Sequence, residues 1–101
     1  MRLLVFFDLP VLTVKQRRDY SKFRTALIKD GFIMLQESIY SKLLLNPTAV
    51  EFEKQFIRNN KPDEGLIQIL TVTEKQFSRI EYILGDEKSE VLNSSDRLVV
   101  I

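Results

Sequence analysis

Phe32-Ile33-Met34-Leu35-Gln36-Glu37-Ser38-Ile39-Tyr40-Ser41-Lys42-Leu43-Leu44-Leu45 is the stretch on which the fold turns. It is apolar and aromatic at both ends, with polar Gln36, Glu37 and Ser38 in its middle. Its 14 residues exceed the usual strand of about 5–6, so it is either two strands or one sharply kinked strand. On its N-terminal side, Thr13 followed by Gln16 is a capping-box signal. Tyr20, Phe23 and Leu27 then fall on one helical stripe, which Gly31 stops after Asp30. On its C-terminal side, Asn46 caps and Pro47 begins a second helix, with Ala49, Phe52 and Phe56 as the expected buried stripe. Further out, Arg2 to Leu9 is apolar on both alternating faces and reads as a central strand covered on both sides. Asn59 to Gly65 is turn chemistry, and Leu66 to Thr73 reads as another strand.

Strand, helix, strand pair, helix, strand is the order of an α+β, ferredoxin-like split βαβ sandwich. Thr73 to Phe77 reads as one helical turn. Ile80, Tyr82 and Leu84 then alternate like a strand that Gly85 stops, and Asp86 to Ser95 is polar loop. Leu98-Val99-Val100-Ile101 makes residues 96–101 an expected C-terminal strand. Two additional C-terminal strands have no place in a four-stranded sheet and would leave an edge exposed. A homodimer in which the tail pairs with the partner is the economical solution. With 101 residues, the span 1–101 is read as a single ferredoxin-like domain.

The absent residue types narrow the chemistry. The chain has no cysteine and no histidine, which excludes disulfides, thiolate zinc sites, cysteine nucleophiles and serine–histidine triads. Catalysis is left to carboxylates, lysine, hydroxyls or a hard, oxygen-loving ion such as Mg²⁺ or Mn²⁺. The apolar run Leu3 to Phe7 is too short for an export signal, and no stretch approaches a membrane span. A soluble, cytoplasmic protein without a membrane partner is expected. Phe6, Phe7, Phe23, Phe32, Phe52 and Phe56 count as core, while Tyr40 and Tyr82 suit either a core edge or an interface.

The net charge of +1 hides an asymmetry. Residues 1–45 carry eight Lys/Arg against four Asp/Glu, whereas residues 46–101 carry seven against ten. On the first helix, Lys15, Arg18, Lys22 and Lys29 lie together opposite the apolar stripe. Arg17 and Arg24, seven apart, form a second row beside the core edge. A solvated helix face is the plain alternative for such a charge run. Only Asp19 and Asp30 interrupt the six bases, however, and a row of cations suits sequence-independent phosphate contact. Exposed stacking aromatics of the single-strand-binding kind are not evident.

Several segments, taken in order, carry a family resemblance. A first strand ending Phe6-Phe7-Asp8-Leu9-Pro10 precedes a basic helix with Arg17, Tyr20, Phe23 and Arg24. Gly31-Phe32 and Gln36-Glu37-Ser38-Ile39-Tyr40 follow. The chain resembles the CRISPR-associated protein two family, the small subunit of the machinery that inserts new spacers into CRISPR arrays. Residues 38–45 and 70–77 further resemble its type II-A branch. The resemblance implies a ferredoxin-like homodimer that bridges dimers of a larger integrase subunit and holds the middle of a protospacer DNA duplex. It also implies Mg²⁺-dependent endonuclease activity on single-stranded RNA or double-stranded DNA, with Asp8 as the metal and catalytic residue.

The chemistry of Asp8 leaves two readings. One carboxylate is a poor Mg²⁺ site, because the ion wants six oxygens. Two copies of Asp8 facing across a dimer axis would hold one ion together with waters. The plain alternative is a strand-terminal aspartate that satisfies backbone donors in the loop before Pro10. Glu37 is the nearest second acid and reads as a solvated strand residue. Three functions compete: a DNA-bridging dimer, a stand-alone endoribonuclease like the related virulence-associated D-type toxins, and a non-catalytic RNA-binding module. The last needs aromatics in a glycine-rich basic motif on a central strand, which Leu66 to Thr73 lacks.

Overall fold

The computed structural model describes residues 1–86. The 14-residue stretch is two strands, β2 (Ile33–Gln36) and β3 (Ile39–Leu43), joined by a tight turn at Glu37-Ser38. Between Met34↔Tyr40 and Gln36↔Ile39 two residues of β2 advance against one of β3. This bulge bends the hairpin. β1 (Arg2–Asp8) lies between β3 and β4 (Leu66–Val72), pairing antiparallel with both, and the sheet order is β2-β3-β1-β4. This is the ferredoxin-like α+β arrangement, with α1 (Val14–Lys29) and α2 (Pro47–Asn60) as the connecting helices.

Alternation along β1 assigns the two faces of the sheet. Leu3, Val5 and Phe7 are buried with Tyr40 and Leu44 against Phe23 and Leu27 of α1 and Val50 and Ile57 of α2. Phe7 meets Phe23 edge-on, with ring centroids 5.3 Å apart, and stacks on Tyr40 at 5.6 Å. Tyr40 is therefore a core residue, not an interface one. The opposite face carries Leu4, Phe6 and Asp8 beside Ser41, Ile39, Leu70 and Leu66. Among the described residues no helix of the sandwich covers it, and Ile33, Leu66 and Leu70 are exposed, so the helices cover β1 on one side and not on both as expected.

The cap residues behave as their chemistry requires. Gln16 donates its backbone N–H to Thr13 Oγ1 at 3.0 Å, and its side-chain Oε1 accepts from the N–H groups of Thr13 (3.0 Å) and Leu12 (2.9 Å). Asn46 Oδ1 accepts from the Ala49 N–H at 2.8 Å, with Pro47 opening α2. At the far end of α1, Gly31 takes φ +100°, which lets Phe32 donate back to the Leu27 carbonyl at 3.0 Å. Thr13→Ala is expected to lower stability by about 1 kcal/mol, read as a shift in the urea midpoint with an unchanged slope. No shift in the midpoint would mean that the cap is dispensable.

Two expectations need correction. The buried stripe of α2 is Val50, Glu53 and Ile57, with Ala49 and Phe56 partly buried, and Phe52 is 70% exposed. α2 is rotated by about one residue from the expected setting, and Glu53, turned inside, is paired there with Lys42 at 2.8 Å. The expected helical turn forms as α3 (Glu74–Phe77), but Ile80 to Leu84 is not a strand. Tyr82 and Leu84 instead line a cavity of about 520 Å³ with Arg2, Ile33, Leu35 and Ser41 of the open face. The chain thus crosses that face and does not run along an edge, where an alternating segment would pair. The expected strand at 96–101, with all but the first residue of the polar loop before it, lies outside the described residues. Among the described residues, no helix is long and apolar enough to cross a membrane.

Candidate nucleic-acid interface and the Asp8 site

α1 carries all six bases singled out in the sequence, but the structure gives them different surroundings. Lys15 is 2.8 Å from Asp19 and 3.6 Å from Asp63, and the hydrogen bond it donates to Asp19 holds its ammonium above the usual lysine range. Arg17 donates to the carbonyls of Val11 and Leu12 at 3.1 and 3.0 Å, bracing the loop between β1 and α1. Arg24 lies beside Tyr40. Burial pushes the Tyr40 phenol up and the Arg24 cation opposes it, while among the described residues the hydroxyl lacks a hydrogen bond of good geometry.

Arg18, Lys22 and Lys29 remain. All three are exposed, and none makes an ion pair among the described residues. At about 100° per residue they fall within about 40° of one another, spread over about 16 Å of helix. Phe23 and Leu27 lie on the opposite side, in the core. The result is a narrow cationic line facing away from the sheet.

Asp8 ends β1 opposite Leu66 and is exposed. Alternation places it with Leu4 and Phe6 on the open face of the sheet. The cationic line and Asp8 are thus on opposite sides of the molecule and do not form one site within a single chain. Among the described residues, no three His, Cys, Asp or Glu side chains gather where an ion could sit. Glu37 is an exposed residue of the β2–β3 turn. Asp8 therefore fits a divalent ion only as half of a site. Mg²⁺ is commonly held by one or two carboxylates plus waters, and a second Asp8 would supply the other half.

Sequence reasoning missed two polar constellations. Lys42 shares the inner face of β3 with Tyr40 and donates to the Asp30 carbonyl (2.6 Å), Asp30 Oδ2 (3.3 Å) and Glu53 Oε2 (2.8 Å). Glu53 is buried, and among the described residues its Oε1 has no hydrogen bond of good geometry. Burial and the neighbouring Asp30 raise the Glu53 carboxyl above the usual range, against the pull of Lys42. Burial alone would lower Lys42, but its bonds to Glu53 and Asp30 prevail and raise it. The signal was a charged residue at the i, i+3, i+7 positions Val50, Glu53 and Ile57. In the second constellation Arg2 forks onto Glu74 at 2.9 and 2.8 Å, its guanidinium carbon 4.2 Å from the centre of the Phe77 ring. Arg2 thereby ties α3 to the sheet and holds the Glu74 carboxyl below its ordinary range.

The comparisons with known proteins agree with this architecture. The family model for CRISPR associated protein Cas2 matches residues 1–80. A CRISPR-associated endoribonuclease Cas2 from Treponema denticola is 55% identical over 101 residues, covering 100% of both chains. One from Streptococcus mutans is 46% identical, covering 100% of this chain and 93% of the relative. The crystal structure of Streptococcus pyogenes Cas2 at pH 6.5 superposes with a TM-score of 0.65 at 19% identity, covering 84% of this chain and 100% of that one. At that identity the superposition speaks for the fold. The sequence matches, which span the whole chain, assign it to the Cas2 family of CRISPR-associated proteins.

Proposed function

We propose that this Cas2 chain acts as a homodimeric, DNA-bridging subunit in CRISPR spacer acquisition, with the outer line of α1 as its phosphate contact. The observation that carries this reading is the alignment of Arg18, Lys22 and Lys29 on one exposed edge without ion pairs among the described residues. Such a line neutralises phosphates and reads no bases, which suits a protein that must accept protospacers of any sequence. The open sheet face, with exposed Ile33, Leu66 and Leu70 around half-buried Phe6, supports a second copy as its cover. The larger integrase subunit is the proposed partner that performs strand transfer. Alanine at Arg18, Lys22 or Lys29 is expected to weaken all duplexes about equally. Each should lower the slope of log affinity against log salt by roughly 0.9. Unchanged slopes would return this face of α1 to ordinary solvation.

A second activity rests on Asp8. The relatives from Treponema denticola and Streptococcus mutans are named endoribonucleases. Without histidine or cysteine, the chemistry is left to carboxylates, lysine, hydroxyls or a hard metal ion, and a carboxylate is the side chain that binds such an ion. Two Asp8 carboxylates brought together by dimerisation would hold Mg²⁺ or Mn²⁺, which when bound supplies an activated water and charge stabilisation at the phosphodiester. The substrate would be single-stranded RNA or double-stranded DNA. The stand-alone toxin-like endoribonuclease is the competing reading. It requires that the isolated dimer cleave RNA and that no larger integrase co-purify with it.

A further inference from the structure

We propose that Gly65 is a positioning residue for Asp8, an inference that rests on the reading of Asp8 as the reacting carboxylate. β4 begins opposite the end of β1, with Leu66 paired to Asp8. The turn before it is fastened to the first helical turn of α1 by Lys15–Asp63 (3.6 Å) and by Gln16 Nε2 donating to Glu64 Oε1 (3.4 Å). Gly65 closes this clasp onto the strand end. A Cβ at Gly65 would stand 2.6 Å from Leu9 Cδ2, 2.9 Å from the Asp8 carbonyl oxygen and 3.1 Å from Leu9 Cα. Leu9 is itself buried in the core and cannot swing clear at no cost. Two of the three neighbours are backbone atoms, so a side chain at 65 has to move the Asp8–Leu9 backbone. The φ of +110° at Gly65 penalises a side chain as well.

The chain contains its own control for that second penalty. Gly31 has nearly the same φ, +100°, but a Cβ there would meet only Lys42 Cε at 3.6 Å and Nζ at 3.8 Å, ordinary contacts. Gly31→Ala therefore samples the backbone penalty without the close approach, far along the chain from Asp8. Gly65→Ala carries both. A displacement of the last residue of β1 re-aims its carboxylate, and a shared ion is sensitive to the orientation of its ligands.

The test uses the full-length dimer with Mn²⁺ as probe, its binding followed by water-proton relaxation. Mg²⁺-dependent cleavage and the Asp8 and Leu66 amide shifts are measured on the same samples. Gly65→Ala is expected to weaken Mn²⁺ binding roughly 10–100-fold, to lower kcat by about 100-fold and to shift both amides. Gly31→Ala should lower the melting temperature with Mn²⁺ affinity and kcat within about twofold of the parent, since only the φ penalty acts there. Asp8→Asn serves as the reference. If Asp8→Asn still binds Mn²⁺ and cleaves, the reading of Asp8 is wrong and the positioning role falls with it. If Asp8→Asn is inert while Gly65→Ala keeps parental affinity, kcat and amide shifts, the positioning role alone is overturned. Should Gly65→Ala fail to fold, the same measurements on Leu9→Ala/Gly65→Ala decide. That pair removes the 2.6 Å contact and keeps the 2.9 Å approach to the Asp8 carbonyl.

Discussion

Lys42→Met is expected to lose about 3–5 kcal/mol of folding stability near pH 8, the usual consequence of breaking a buried ion pair from one side. The methionine fills the space but leaves Glu53, buried and with one oxygen unpartnered among the described residues, facing Asp30 without a cation. The pH dependence identifies the mechanism. The Glu53 carboxyl is already raised in the parent, by burial first and by Asp30 second, and removing Lys42 raises it further. A carboxyl raised in the folded state binds more protons there than in the unfolded chain, so stability falls as pH rises from the ordinary glutamate range through the folded value. The variant should therefore be penalised less at pH 5 than at pH 8, and adding Glu53→Gln should remove most of that difference. Urea unfolding at the two pH values measures it. A loss below about 1 kcal/mol at pH 8, as for a surface pair, would show that solvent screens the cluster.

On the proposed reading of Asp8 as a metal ligand shared across a dimer, Asp8→Asn should abolish Mg²⁺-dependent cleavage by the isolated protein. Asparagine keeps the shape and hydrogen-bonding capacity of the side chain and removes the charge that a divalent ion requires. The dimer itself should be no less stable than the parent, because two carboxylates brought together repel when no ion lies between them. Nuclease assays with Mg²⁺ or chelator, paired with light scattering, separate the two effects. Cleavage that survives the substitution would place the chemistry elsewhere, and a dissociated dimer would make Asp8 an assembly residue.

The sandwich was legible because its signals are local. Thr13 and Asn46 start helices where their side chains cap, Gly31 stops α1 at a positive φ, and the polar middle of residues 32–45 is a turn. What stayed hidden depends on partners remote in sequence. Two stripes compete on α2, and the apolar one, Ala49-Phe52-Phe56, was the natural choice. Val50-Glu53-Ile57 is buried instead, with Glu53 paired to Lys42 of β3, a partner remote in sequence. Ile80 to Leu84 has strand alternation, but pairing needs a free edge beside it, and the chain leaves α3 across the open face. At the site, the helical period placed Arg18, Lys22 and Lys29 on one line. Nothing local revealed that Asp63 would reach Lys15.

In spacer acquisition, the role proposed for this Cas2 chain is duplex contact and not Asp8 chemistry. Acquisition of new spacers in cells, scored as lengthening of the CRISPR array, compares the two residue sets directly. The strains would carry the parent, Asp8→Asn, or Arg18→Ala/Lys22→Ala/Lys29→Ala, each first shown to accumulate to the same level. Near-parental acquisition with Asp8→Asn and loss of acquisition with the triple variant are expected. Loss with Asp8→Asn, together with normal acquisition by the triple variant, would contradict that role.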